Sequence, residues 1–209
     1  MNFEILKPFG PSIVKVVMPK EIVVGMNEYV DNLIKNKNEI DKLNHGKYLA
    51  GNVTNEFRLD VEFMKKIKWV EFLATSCEKW LLEGHNITLR RFDMIASWIV
   101  RQFKNEYNPT HWHSGHVSGV GYLKVPNTLG ESYQKNKNQN SNGKLELIHG
   151  SKMFLCNSTI KLTPKVGDFY FFPNYLMHNV YPFSDTDEER RSISFNATID
   201  DNIYNVYEY

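Results

Sequence analysis

The hydrophobic period of this chain changes once, and that change bounds what it can fold into. Up to about residue 86, apolar residues recur at helical spacing. From about Ile87 they alternate, as in strands with one buried face. Before the switch, residues 20–37 carry Ile22, Val23, Met26, Tyr29, Val30 and Leu33 on one helix face. Residues 61–82 carry Phe63, Ile67, Val70, Ala74, Cys77 and Leu81, with Leu73 widening the stripe. Gly84 then stands where a left-handed residue commonly caps a helix. Only 11–17 reads as β-like in this part, and 48–52 reads as a loop or turn. After the switch, 87–93, 96–103, 117–125, 144–148, 169–172 and 192–198 each read as strands. The polar stretch 130–143 is a long loop between strands, either a mobile flap or a tolerated insertion.

Helices followed by many short strands, with no linker between them, predict an α+β chain that is mainly β. The architecture expected is a double-stranded β-helix, or jelly roll, with N-terminal helices packed against it. One domain over 1–209 is expected, with a helical part of about 1–86 and a β core of about 87–199. A hydrophobic share of 42% and an aromatic share of 13% suffice for its core. The formal charge of +1 gives no reason to expect general attraction to nucleic acid or membrane. The first residues lack a signal-peptide layout, and no apolar run is long enough to span a bilayer, so a cytoplasmic setting is expected. Cys77 and Cys156 are expected as two buried free thiols. Oligomeric state is not encoded in any feature of this kind.

The chemistry concentrates in four places. His111 and His113 lie two apart, after the turn signal Asn108-Pro109, and on a strand would face the same side. His178, 65 residues past His113 (178 − 113), follows a strand that ends at Pro173. A lone histidine is usually structural, and His45, His85 and His149 are read so. Three converging imidazoles instead make a metal site with open coordination positions, as a catalytic metal needs. Farther on, alternation puts Arg190, Ser192 and Ser194 on one face and Arg191, Ile193 and Phe195 on the other. An arginine beside a serine can grip a carboxylate, although an adjoining charge cluster also fits a solvated surface.

The ordered set HxH, SGVGYLKVP, GDFYFFPNYLMH and RRSISFN resembles the 2-oxoglutarate and Fe(II)-dependent oxygenases over roughly 87–198. It resembles most the small members of marine phages and bacteria, which would place it in a host cytoplasm if phage-borne. The resemblance implies a β-helix with iron on its inner face and 2-oxoglutarate and O2 as cosubstrates, with ascorbate as an optional reductant. By the family pattern His111 and His178 are metal ligands. Arg190, assisted by Ser192, would bind the far carboxylate of 2-oxoglutarate, and Tyr122 matches a tyrosine that often supports it. His116, Trp112 and Asn196 are expected beside the ligands or toward the substrate.

One position departs from the family. The usual motif pairs the first histidine with a carboxylate, and here His113 occupies that place. Either it is a neutral third ligand, or it stands beside the metal with water in its stead. The activity implied is hydroxylation of an unidentified substrate, a protein side chain or small molecule, coupled to conversion of 2-oxoglutarate to succinate. Two other readings stay open: a three-histidine cupin-like dioxygenase without 2-oxoglutarate, and a non-catalytic jelly-roll module.

Overall fold

The computed structural model describes residues 3–6, 10–132, 136 and 139–205. The elements run β1 Phe3–Leu6, β2 Ile13–Val17, α1 Lys20–Leu33, α2 Lys37–Leu43, a 3-10 turn Gly46–Tyr48, β3 Asn55–Arg58, α3 Val61–Lys66 and α4 Trp69–His85. Strands β4 Phe92–Gln102, β5 Asn108–His111, β6 Val117–Lys124, β7 Leu145–Ile148 and β8 Thr159–Leu162 follow. The chain continues through β9 Asp168–Pro173, β10 Met177–Val180, β11 Arg190–Ile199 and α5 Asp201–Tyr204.

Two antiparallel sheets result. The larger has the order β1-β2-β9-β6-β11-β4-β3, and the smaller β5-β10-β7-β8. Strand alternation sends side chains of the larger sheet to two different cores. Outward, Phe169, Phe171, Ile193 and Phe195 pack with Ile22, Met26 and Val30 of α1 and with Trp69, Leu73 and Cys77 of α4. Inward, Val120, Tyr122, Tyr170 and Phe172 meet Leu145, Leu147 and Val180 of the smaller sheet. Gly121 faces outward, where a Cβ would collide with the ring of Phe169, so only glycine lets the two strands approach this closely. This is the jelly-roll double-stranded β-helix that the period switch predicts.

Several details differ from the sequence reading, each for a local reason. The N-terminal part is not only helical, because β1, β2 and β3 join the larger sheet. The helix expected over 61–82 is two helices, broken where Lys68 adopts φ +57°. The break turns the second helix, which buries Trp69, Phe72, Ser76 and Trp80 in place of Val70 and Ala74. Gly84 lies inside α4, and Asn86, at φ +56°, takes the left-handed cap. Residues 87–91 are not strand, and β4 begins at Phe92. Asn108-Pro109 is not a turn but the start of β5, an edge strand that tolerates proline. Cys77 is buried as expected, whereas Cys156 is exposed. Within 130–143, Asn140 and Asn142 donate side-chain N–H bonds to the carbonyls of Gly130 and Leu129, while 133–135 and 137–138 fall outside the described residues. No helix among the described residues is long and apolar enough to cross a membrane.

Candidate metal and cosubstrate site

The three histidines converge between the sheets. In the smaller sheet His178 of β10 pairs directly with His111 of β5. His113 lies just past the end of β5, so strand alternation alone does not aim it. Its backbone N–H donates to the carbonyl of Asn174, whose side-chain amide donates back to the His113 carbonyl at 3.0 Å. Asn174, in the turn between β9 and β10, thus fixes the second half of the HxH pair. The ring centroids are 4.3 Å apart for His111–His178, 4.9 Å for His113–His178 and 5.0 Å for His111–His113. One ligand atom from each lies within 4.8 Å of the others.

Two of the rings are held in a defined tautomer. Nδ1 of His111 bonds the Pro109 carbonyl at 2.6 Å, and Nδ1 of His178 bonds the Leu176 carbonyl at 2.9 Å. A carbonyl only accepts, so each Nδ1 carries the proton and each Nε2 keeps its lone pair for a metal. Burial holds all three imidazoles neutral, with His113 pushed down to about 2, His178 to about 3, and His111 below its ordinary value. Trp98 and Phe172 meet the His113 and His178 rings edge-on.

Across the pocket stands β11. Arg190, Ser192 and Ser194 line the same pocket as the histidines, as alternation predicts. Arg190 is 1% exposed, and Nη1 donates to Oε1 of Gln102 at 2.8 Å. Gln102 is oriented in turn by the carbonyls of Glu106 and Tyr181, which accept from its amide. Nε and Nη2 of Arg190 are buried without a partner, and so is the hydroxyl of Tyr122. The guanidinium lies 5.0 Å from the Tyr122 ring centroid, and burial raises the Tyr122 pKa, so the phenol remains a donor. Buried polar groups are rarely left unsatisfied without a reason. Three orphaned groups beside a serine hydroxyl fit the carboxylate of a bound ligand. The donor set therefore suits 2-oxoglutarate as the neutral histidines suit Fe(II).

Arg191, adjacent in sequence, points the other way. It is held by both oxygens of Glu189 and by Asp31 and Asn27. His116 also turns away from the pocket. Its Nδ1 accepts from the Ile199 N–H, and its ring stacks on Tyr204 at 4.0 Å. Trp112, 65% exposed, and Asn196 line a wider cleft outside the pocket. Asn196 accepts a hydrogen bond from Ser118. Leu49, Trp98 and His113 line both spaces and form the neck between them. Sequence reasoning missed Gln102, Asn174 and the buried Glu56, whose partnerships or lack of them arise from strand pairing and carry no motif.

Residues 96–196 match the family model described as 2OG-Fe(II) oxygenase. No curated protein matches the chain. Among solved structures, a Pseudomonas putida prolyl-4-hydroxylase is similar at 13% identity and a TM-score of 0.57, over 88% of this chain and 91% of that one. The viral collagen prolyl hydroxylase of Paramecium Bursaria Chlorella virus-1, in a 2OG complex, is similar at 14% identity and 0.53, over 88% and 94%. A prolyl hydroxylase from Trichoplax adhaerens, in complex with a hypoxia inducible factor peptide fragment, is similar at 14% and 0.56, over 99% and 87%. At such identities the likeness carries the fold, and the matched segment holds every histidine and arginine of the pocket. Over residues 96–196 the chain is thus similar to the family of 2OG-Fe(II) oxygenases.

Proposed function

We propose that the protein is an Fe(II)- and 2-oxoglutarate-dependent hydroxylase that acts on a protein side chain, with Fe(II) held by His111, His113 and His178. Bound there, iron and 2-oxoglutarate supply the oxidising chemistry: with O2, the cosubstrate becomes succinate and CO2, and one oxygen atom passes to a substrate C–H. The remaining work belongs to the chain. Pro109 and Leu176 carbonyls keep two imidazoles aimed by their Nδ1–H groups. Arg190 Nε and Nη2, the Tyr122 hydroxyl and Ser192 would hold the far carboxylate, with Gln102 fixing the guanidinium. Leu145, Leu147 and Phe172 exclude water from around the reacting groups.

The observation that carries this reading is the orphaned Arg190–Tyr122 pair facing a neutral histidine triad. A cupin-like oxygenase without 2-oxoglutarate leaves those donors without a use. Support for a protein side chain comes from the open cleft outside the neck and from the prolyl hydroxylases that share the fold. Anaerobic addition of Fe(II) and 2-oxoglutarate should produce a visible charge-transfer band, and admitting O2 should yield succinate. A protein that shows neither at saturating iron is not a hydroxylase of this kind.

A further inference from the structure

Glu56 lies in the pocket of the histidines, and the proposed mechanism gives it no task. It is the acidic residue lining that pocket, 5% exposed, on β3. It pairs with Val100, which pairs with Ser192, which pairs with Tyr122, so all four share the inward face of the larger sheet. Its carboxyl presses on the backbone of the covering loop: a Cβ on Gly51 would come within 2.5 Å of Oε1. Among the described residues no cation or hydrogen-bond donor meets that carboxyl. Burial alone lifts its pKa to about 7. A carboxyl buried without a partner is costly, and an apolar residue of similar size would serve the fold better.

The neighbouring cleft has the opposite character. His45, Lys47, Tyr48, Arg58 and Trp112 line it, and no acidic side chain does. Neither Lys47 nor Arg58 forms an ion pair among the described residues. The path from solvent thus runs past a cationic, aromatic rim, through the neck of Leu49 and Trp98, to an acidic wall beside the histidines.

Resting on the proposed function, we infer that Glu56 is the specificity-determining residue of the site. It receives the ammonium or guanidinium head of a Lys or Arg side chain, in a peptide whose acidic neighbours lie against Lys47 and Arg58. The head group on Glu56 leaves a methylene of the stem as the C–H presented to the iron. A cation satisfies a carboxylate fully, whereas the neutral amine of a nucleobase does not, which favours a basic side chain over a nucleic acid.

The test uses the full chain with Fe(II) and 2-oxoglutarate. Its probes are pentapeptides Asp-Asp-X-Asp-Asp with X as lysine, norleucine, arginine or citrulline, read out by succinate formation. The wild-type protein should favour lysine over norleucine, or arginine over citrulline, by at least about tenfold. Glu56→Gln should bring that ratio close to one while the anaerobic charge-transfer band persists. The wild-type ratio stands independently of how the variant folds. A wild-type protein that shows the band but no preference overturns the inference, as does a stronger response to a single-stranded DNA pentamer. So does loss of the band in Glu56→Gln, which would assign Glu56 to the metal. Absence of the band in the wild type defeats the proposed function itself, and the inference with it.

Discussion

Arg190 and Arg191 are neighbours on one strand, both fully buried, and their surroundings could hardly differ more. Arg191 faces the helices and is saturated by Glu189, Asp31 and Asn27, with Glu189 also braced by Arg101 at 2.8 Å. Arg190 faces the smaller sheet and keeps one partner, Gln102, while two of its nitrogens stay unmatched. The outward face of this sheet is polar only where every charge is answered. The inward face carries an incompletely answered arginine, an unanswered phenol and an unpartnered carboxyl. The first face is organised for stability, and the second has the donors that the proposed ligand would use.

That contrast can be broken by experiment. Arg191→Ala should be the most damaging substitution, because it removes a fully buried cation and leaves Glu189 with Arg101 alone and Asp31 with Lys124 alone. A loss of about 3–5 kcal/mol is expected from denaturant melts, and a mild effect would mean that the outward network is ornamental. Next comes Glu56. Its carboxyl holds a proton in the folded state up to about pH 7 but loses it near 4.5 when unfolded. The folded state therefore binds the extra proton in that window, and stability falls as pH rises through it. At about 1.36 kcal/mol per pH unit the loss is about 3 kcal/mol, complete above pH 7. Metal-free Glu56→Gln should show a flatter profile, and an unchanged slope would place the titration elsewhere. Arg190→Ala should weaken 2-oxoglutarate binding about a hundredfold, about 2.8 kcal/mol, with equilibrium stability held or raised. A melt as damaged as that of Arg191→Ala would erase the distinction between the faces. His116→Ala should be mildest, losing about 1 kcal/mol of stability with its hydrogen bond and leaving succinate formation unchanged. A collapse in turnover would return His116 to the site.

Much of this was legible in the chain, and the rest was hidden for physical reasons. The strands that alternate over eight residues or more, β4, β6 and β11, were readable. The four-residue strands β3, β5, β8 and β10 carried no readable period, whereas β7, equally short, was readable. His111, His113 and His178 stood out because imidazoles at short spacing are costly without a shared use. Alternation also put Arg190, Ser192 and Ser194 on one face, and the family pattern pointed to Arg190, but that its guanidinium is the one left unmatched is visible only in the structure. The aim of His113 comes from Asn174, a residue 61 positions away (174 − 113) that only the turn between β9 and β10 brings near. Glu56 sits in Asn-Glu-Phe-Arg, where the sequence looks like an ordinary polar loop, and its burial follows from pairing with β4.

The proposed metal ligands and the proposed carboxylate anchor belong to different sheets. His111 sits on the edge strand of the smaller sheet, β5, which is four residues long and pairs with β10, the strand of His178. Arg190 sits on the larger sheet. A ligand set that reaches from one to the other is a fastening across the sandwich, and its occupancy adds to stability as RT ln(1 + [L]/Kd). The edge strand has little else to hold it, so its backbone amides should be the ones whose hydrogen exchange slows most on loading. Supply of iron and 2-oxoglutarate would then govern how firmly the protein is closed as well as how fast it turns over.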